Sequence, residues 1–154
     1  MSKKPDDERK VLVRNRRARY DYELEAPLEA GLVLVGSEVK SLREAHASLT
    51  DAFCEVRGGE LWLLNAQIEP YKWANQFNHE PRRPRKLLVH KTEIKRLLVK
   101  SRDKGFTMIP TEIYVKNGKI KVQISLGKGK KDHEKRDAKR EREDEREMDR
   151  ARGK

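Results

Sequence analysis

Residues 108–126 read MIPTEIYVKNGKIKVQISL, and this stretch decides the fold class. Every second residue from Ile120 to Leu126 is apolar, as in a strand with one buried face. The Asn117-Gly118 dipeptide suits the positive φ angles of a type I′ turn, so the stretch predicts a two-stranded antiparallel hairpin. A slip of one residue would expose every apolar side chain of the returning strand, so the register is well specified.

Further strand patterns precede this hairpin. Asp51–Arg57 and Glu60–Leu64 are rich in β-forming residues and flank two glycines, which predicts another hairpin. Apolar and acidic residues alternate through residues 20–26, which indicates a half-buried strand that Pro27 stops. Residues 31–36 are more uniformly apolar and predict a second, more deeply buried strand.

Two helices are predicted among these strands. Ser37 is a good N-cap for a short helix that runs to Arg43, although a continued strand is the competing interpretation. Thr92 precedes apolar residues at helical spacing, and Gly105 can end that helix in the left-handed conformation. Short strands and turns with few helices predict a mainly β domain of the α+β type. An OB-like antiparallel β-barrel is the expected architecture.

The chain is strongly basic, and its charge is unevenly distributed. It has 37 Lys and Arg against 26 Asp and Glu among 154 residues, which gives a net charge of +11. Residues 128–154 carry 12 of the basic and 9 of the acidic residues, with almost no apolar side chain. We therefore predict a flexible leader at 1–14, a barrel over 15–127 and a charged C-terminal arm at 128–154. The positive balance favours nucleic acid as the partner.

Several classes of function lack their sequence signals. The single cysteine, Cys54, excludes an intramolecular disulfide and is best explained as a small buried residue of a strand. The histidines His46, His79, His90 and His133 lack metal-ligand spacing, and no phosphate-binding glycine loop or nucleophile elbow occurs. No apolar run reaches transmembrane length, and the acidic N-terminus lacks a signal segment. These patterns predict a cytoplasmic, non-enzymatic protein without a cofactor or metal.

Residues 69–86 interleave aromatic, proline and basic residues over a length that is uncommon for a loop without a function. Such interleaving is typical of single-stranded RNA recognition, because rings stack on bases and cations contact phosphates. The alternative is a surface loop whose rings cover the edge of the barrel. The candidate stacking residues are Tyr71, Trp73 and Phe77, and the candidate phosphate ligands are Arg82, Arg83, Arg85 and Lys86.

Other candidates are weaker. The basic cluster Arg14–Arg19 and the helix residues Lys40 and Arg43 could each be ordinary solvated surface, or could extend the loop as a positive track. The arm lacks an apolar stripe with which to dock on the barrel. We expect it to be disordered when free and helical inside an anionic channel, the alternative being a solubilising tail.

Seven short motifs follow one another along the chain. They are AGLVL at 30–34, GSEVKSLR at 36–43, FNHEP at 77–81, RKLL at 85–88, KGFT at 104–107, KNG at 116–118 and GKKxHxKR at 129–136. In this order they resemble the SmpB family, small proteins that bind transfer-messenger RNA (tmRNA). The number of ordered motifs makes the resemblance specific.

The resemblance implies an OB-like barrel that binds the tRNA-like domain of tmRNA. It also implies delivery of that RNA, together with elongation factor Tu, to ribosomes stalled on messages without a stop codon. The arm would enter the empty message channel, fold there as a helix and contact small-subunit rRNA at the decoding centre. We expect a monomer that does not bind membranes.

The resemblance also assigns roles to single residues. Glu29, Leu88 and His90 match positions tied to RNA binding, and His79 lies in a matching motif. Tyr20, which follows Arg19 of the basic cluster, stands where the family often has His, so it retains a ring for stacking but not a titratable imidazole. The decoding-centre segment matches Gly129, Lys130, Lys131, His133, Glu134, Lys135 and Arg136, with Glu134 in place of a frequent Asp.

Two other functions remain as alternatives. A ribosomal or translation-factor-like protein could use the same barrel to bind rRNA directly, and its arm would then matter less. A nuclease would need a catalytic site, for which we find no pattern in the sequence.

Overall fold

The computed structural model describes residues 9–74, 78–102, 105–129 and Arg146. The described residues form nine strands, of which three are eleven residues long, and three helices. They are β1 (Lys10–Arg14), α1 (Ala18–Asp21), β2 (Tyr22–Leu32), α2 (Gly36–Arg43), β3 (Ala47–Ser48), β4 (Phe53–Arg57), β5 (Glu60–Leu64), β6 (Gln67–Ile68), β7 (Arg85–Leu88), α3 (Lys91–Ser101), β8 (Phe106–Lys116) and β9 (Lys119–Gly129).

The large sheet is antiparallel, and its pairings return to their starting strand. Strands β8, β4, β5, β7, β2 and β9 pair in that order, β9 pairs again with β8, and β1 adds to β8. Strands β3 and β6 form a separate two-stranded sheet. The fully buried side chains inside this arrangement include Leu61, Ile113 and Ile124. The prediction of a mainly β protein with short helices is confirmed.

The hairpin that decides the fold class forms as predicted. Lys116 pairs with Lys119 across the turn, and Asn117 and Gly118 have φ angles of 53° and 74°. The inward side chains of β9 are completely buried from Val122 to Leu126 at every second residue. Strands β4 and β5 form the other predicted hairpin, and Cys54 is buried within it, as expected.

The N-terminal prediction needs two corrections. Residues 10–14 are not leader but strand β1, because apolar Val13 packs in the core opposite Ile113 of β8. Tyr20 is not in a strand but in the short helix α1, and β2 begins only at Tyr22.

Pro27 does not stop its strand. Strand β2 runs through it to Leu32, with a register shift between Glu25 and Leu28 and a positive φ of 53° at Ala26. A bulge leaves residues out of the ladder, so a proline without an N–H is accommodated there. Of the predicted strand at 31–36, only Gly31 and Leu32 are in a strand, as the last two residues of β2.

Both predicted helices are present, with shifted starts. Helix α2 begins at Gly36 rather than after Ser37, and the backbone N–H of its N-cap Val35 donates to the Glu38 carboxylate at 2.9 Å. Helix α3 has His90 rather than Thr92 as its N-cap. In both helices the acidic residue of the first turn accepts a hydrogen bond from the backbone N–H of the N-cap residue, which is one half of a capping box.

The C-terminal boundary of the barrel also moves. Strand β9 includes Gly127, Lys128 and Gly129, so the barrel extends two residues past its predicted end at residue 127. A Cβ at Gly127 would lie 3.0 Å from the Cβ of Tyr22 and from Cγ1 of Ile109. This glycine is required by close packing, not by flexibility.

A buried ion pair joins α2 to the segment before β7. Glu38 is 0% exposed and accepts hydrogen bonds from Arg83 Nη2 and Arg85 Nε, each at 2.6 Å. Burial alone would raise the pKa of Glu38, but the hydrogen bonds from Arg83 and Val35 and the charge of Arg85 lower it. Glu38 is therefore held ionised in the interior.

Arg85 is the other half of this pair, and its predicted contact with RNA phosphate is wrong. Its side chain is completely buried, and the guanidinium also donates to the carbonyl oxygens of Ala66 and Pro81 at 2.7 and 3.1 Å. Each nitrogen of the guanidinium donates at least one hydrogen bond inside the protein, as a buried guanidinium requires.

We expect Glu38→Gln to lower the free energy of unfolding by about 3–5 kcal/mol, because it leaves the Arg85 charge buried without its counter-ion. Urea titration of the full chain measures this loss. The contribution of Glu38 is complete above the ordinary carboxyl pKa of 4.5 and is lost as the pH falls through its lower folded value. The difference in unfolding free energy between the wild type and Glu38→Gln should therefore shrink in acid.

Glu44→Gln is the matched control, because Glu44 is the exposed C-cap residue of the same helix. It should change stability by less than about 0.5 kcal/mol. Equal small losses in the two variants would contradict a stabilising role for the buried pair.

Candidate nucleic-acid interface

The loop after β6 is closed by a reciprocal pair of hydrogen bonds. The Tyr71 N–H donates to Asn78 Oδ1, and Asn78 Nδ2 donates to the Tyr71 carbonyl, both at 2.8 Å. The predicted stacking residue Phe77 lies outside the described residues. Trp73, within the closed loop, is 70% exposed. Its indole face is thus available for stacking on a base.

Cations from helix α2 and from the loop itself lie beside the aromatic rings. The Lys40 ammonium lies 5.5 Å from the centre of the Tyr71 ring, and the Lys72 ammonium lies 4.9 Å from that of Trp73. Arg43 is exposed at the end of the same helix. We call Lys40, Arg43, Tyr71 and Trp73 the α2–loop surface. It combines aromatic rings and positive charge.

His79 is not part of this surface, and its predicted contact with RNA is wrong. The side chain is buried, with Nδ1 2.8 Å from Ser37 Oγ and Nε2 2.8 Å from the Ile68 carbonyl. A carbonyl can only accept, so Nε2 donates to it and the Ser37 hydroxyl donates to Nδ1 of the neutral ring. His79 therefore ties the loop to α2 and β6.

A second candidate surface lies where β2 meets β7. Leu88 pairs with Gly31 and is 54% exposed, and a Cβ on Gly31 would lie 3.2 Å from the Leu88 Cβ. Lys86 forms an ion pair with Glu60, and His90 is exposed at the start of α3. Glu29 lies two residues before Gly31 and so on the same side of β2. We call Glu29, Lys86, Leu88 and His90 the β2–β7 surface.

Glu29 is the acidic member of this surface, and a tyrosine orients it. The Tyr114 hydroxyl donates to Glu29 Oε2 at 2.5 Å, and Lys116 Nζ lies 3.5 Å from the same oxygen. The hydrogen bond from Tyr114 lowers the pKa of Glu29, with smaller help from the charge of Lys116. An ionised carboxylate accepts hydrogen bonds from base amino groups or ribose hydroxyls and repels phosphates.

Sequence reasoning missed Tyr114. Its ring is buried beneath the guanidinium of Arg9, which lies 3.6 Å from the ring centre. Burial and the bond to Glu29 raise the pKa of Tyr114, so its hydroxyl remains a donor. A tyrosine in an amphipathic strand carries no signal of such a role, because its partner is 85 residues away.

The remaining candidates lie where the arm leaves the barrel. Gly129, the last residue of β9, pairs with Tyr22 at the start of β2, beside α1 with Arg19 and Tyr20. A groove of about 890 Å³ opens here and is lined by Arg14, Arg16, Arg19, Glu23, Glu25 and Arg146, among others. The predicted ribosome contacts Lys130, Lys131, His133, Glu134, Lys135 and Arg136 lie outside the described residues.

The predicted residues therefore do not gather at one point. Tyr22, at the arm, and Gly31, at the β2–β7 surface, are nine residues apart on β2. At about 3.3 Å per residue this separation is roughly 25–30 Å. Contacts at the two ends of β2 must be made with different nucleotides or with different molecules.

In residues 9–74, 78–102 and 105–129, no three His, Cys, Asp or Glu side chains are placed to hold a metal ion. Within the same part of the chain, none of the helices has the length and apolar character needed to cross a membrane.

We expect Tyr114→Phe to raise the pKa of Glu29, because the strongest hydrogen bond to the ionised carboxylate is lost. Carbon-13 NMR titration of the Glu29 carboxyl measures the shift. Tyr22→Phe, on the same sheet, is the control and should leave that titration unchanged. An unchanged Glu29 pKa in Tyr114→Phe would show that the phenol does not hold the carboxylate in its ionised form.

The chain is similar along most of its length to known proteins of one family. The SsrA-binding protein of Desulforudis audaxviator is 52% identical over 153 residues, which cover 98% of this chain and 97% of that protein. The SsrA-binding protein of Symbiobacterium thermophilum is 53% identical over 138 residues, covering 89% and 87% of the two chains.

A solved structure agrees with these sequences. A chain described under "tmRNA-SmpB: a journey to the center of the bacterial ribosome" matches with a TM-score of 0.66 and 48% identity, over 77% of this chain and 84% of that one. The model of the SmpB protein family matches residues 12–154, which include the barrel, both candidate surfaces and the arm. The chain belongs to the SmpB protein family.

Proposed function

We propose that this chain binds the tRNA-like domain of tmRNA and delivers it to stalled ribosomes, which are then rescued by trans-translation. The observation that carries the proposal is the family match over residues 12–154, since it includes the barrel and the arm together. Relatives at about half identity are SsrA-binding proteins, and the similar solved chain comes from work on tmRNA, SmpB and the bacterial ribosome.

The barrel is the part that we assign to tmRNA. Exposed Trp73 and the cations of the α2–loop surface supply stacking and phosphate contacts. On the β2–β7 surface, Leu88 offers apolar contact and Glu29 an ionised acceptor for RNA hydroxyl or amino groups. A net charge of +11 draws RNA to both surfaces. We infer that the circular pairing of six strands is an OB-like barrel.

The arm is the part that we assign to the ribosome. We propose that it begins after Gly129, is disordered in the free protein and becomes helical in the vacant message channel. Its Lys and Arg residues would neutralise rRNA phosphates, and His133 would stack on an exposed base of the decoding centre. Elongation factor Tu would join through the charged RNA. The protein would act as a monomer in the cytoplasm, without catalysis of its own.

Deleting residues 130–154 should leave binding to the tRNA-like domain within about threefold of the full chain, because both barrel surfaces remain. Rescue of ribosomes stalled on a message without a stop codon should be lost. Gel-shift titration and a reconstituted translation assay measure the two activities. Retained rescue would favour the alternative of a barrel that binds rRNA directly, and loss of RNA binding would remove the proposed division between barrel and arm.

Trp73→Ala should weaken binding of the tRNA-like RNA by about 1–3 kcal/mol if one base stacks on the indole. Trp73→Phe keeps an aromatic face and should retain most of the affinity. Fluorescence anisotropy with labelled RNA compares the three proteins. Equal affinities of the wild type and Trp73→Ala would exclude Trp73 from the interface, since its exposed side chain contributes little to the fold.

A further inference from the structure

Helix α3 presents a cationic face that none of the functions above uses. Five basic side chains of the helix and its C-cap are exposed: Lys91, Lys95, Arg96, Lys100 and Arg102. At 100° per residue they occupy the half of the helix opposite Ile94 and Leu97, which are buried against the barrel. The exposed half therefore displays positive charge along its whole length.

The cations of this face lack carboxylate partners among the described residues. Some exposed cations elsewhere on the barrel are paired, such as Arg57 with Glu55 and Arg17 with Asp21. The single acidic residue of α3, Glu93, instead accepts a hydrogen bond from the backbone N–H of His90 at 3.3 Å. A solvated helix face usually mixes both signs, so five unopposed cations favour an anionic partner.

The face continues directly from the β2–β7 surface. Lys91 follows Leu88 by three residues and His90 by one, so the Cα atoms of Leu88 and Lys91 are at most about 10 Å apart. The eleven residues of α3 then extend the positive charge by about 16 Å from that point. An RNA held on Leu88 and His90 would have its backbone within reach of the helix.

A membrane surface fits this helix poorly. A helix that lies in a membrane interface exposes a broad apolar face beside its cations. Ile94 and Leu97 face the barrel, and Val99, at 65% exposure, is a single apolar residue on the cationic half of α3. Charge without an apolar stripe is suited to phosphates held in water.

We propose that the α3 cations bind the phosphate backbone of the same RNA that the β2–β7 surface binds. This inference rests on the proposed function. The contacts are independent of base sequence and fix the orientation of the RNA on the barrel. Each neutralised phosphate releases counter-ions, so the contacts appear in the salt dependence of affinity.

The test uses the full chain and a transcript of the tRNA-like domain of tmRNA, with affinity measured by fluorescence anisotropy from 50 to 300 mM KCl. The variant Lys95→Gln/Arg96→Gln/Lys100→Gln removes three exposed charges from α3. At roughly 0.7–0.9 per contact, the slope of log affinity against log salt should become shallower by about 2. The curves of variant and wild type should converge at high salt.

Two matched proteins separate specific contacts from net charge. The variant Lys10→Gln/Arg57→Gln/Lys119→Gln removes three exposed cations from β1, β4 and β9, and should change the slope by less than about 0.5. The variant Lys95→Arg/Lys100→Arg keeps the charge and should keep the wild-type slope. The single changes Lys95→Gln and Lys100→Gln, each expected to lower the slope by about 0.7–0.9, serve if the triple variant does not fold.

An α3 triple variant with the wild-type slope, or with the slope of the control triple variant, would overturn the inference, even if its binding to ribosomes were weaker. That outcome leaves the proposed function intact. Failure of the wild type itself to bind the tRNA-like RNA would overturn the proposed function as well.

Discussion

The buried contact between Glu38 and Arg85 is the constraint on which both candidate surfaces depend. Two charges without solvent are tolerated only when paired and hydrogen-bonded, and here they join α2 to β7. Arg83 adds a second guanidinium to the same carboxylate, and Arg85 also holds the Ala66 and Pro81 carbonyls. The loop that carries Trp73 is thereby fixed near both of its ends. An aromatic ring presented from such a fixed loop loses little entropy when a base stacks on it.

The same contact explains why short motifs far apart in sequence occur together. Glu38 lies in GSEVKSLR, His79 in FNHEP and Arg85 in RKLL, and all three side chains are buried. The hydrogen bond between Ser37 and His79 joins the first two of these motifs. The motifs that resemble the family therefore do two kinds of work. Their buried polar residues hold α2, the loop and β7 together. Exposed neighbours such as Lys40 and Leu88 are accessible to a ligand.

The sequence predicts those features that depend on neighbours in the chain. Alternation and the Asn117-Gly118 turn specify the β8–β9 hairpin, and helical spacing specifies α3. Features that depend on distant partners were not predictable. Arginine is a common phosphate ligand, so the sequence predicts that role for Arg85. Its carboxylate partner Glu38 lies 47 residues away in sequence and pairs with it in the interior. Local rules predict that Pro27 ends a strand. Pairing with β9 on both sides of a bulge allows β2 to continue through it.

Strand β9 sets the distance between the two ends of the proposed mechanism. It pairs Lys121 with Gly31 beside the β2–β7 surface and Gly129 with Tyr22 where the arm begins. Because β9 is hydrogen-bonded to both β2 and β8 along this length, it cannot bend independently of the barrel. At Gly127 the neighbouring side chains leave no room for a Cβ, so the strand stays close to Tyr22 up to its end. The proposed RNA site at one end and the root of the arm at the other are therefore separated by a rigid ladder. A fixed separation would let an RNA held on the barrel determine where the root of the arm meets the ribosome in the proposed function.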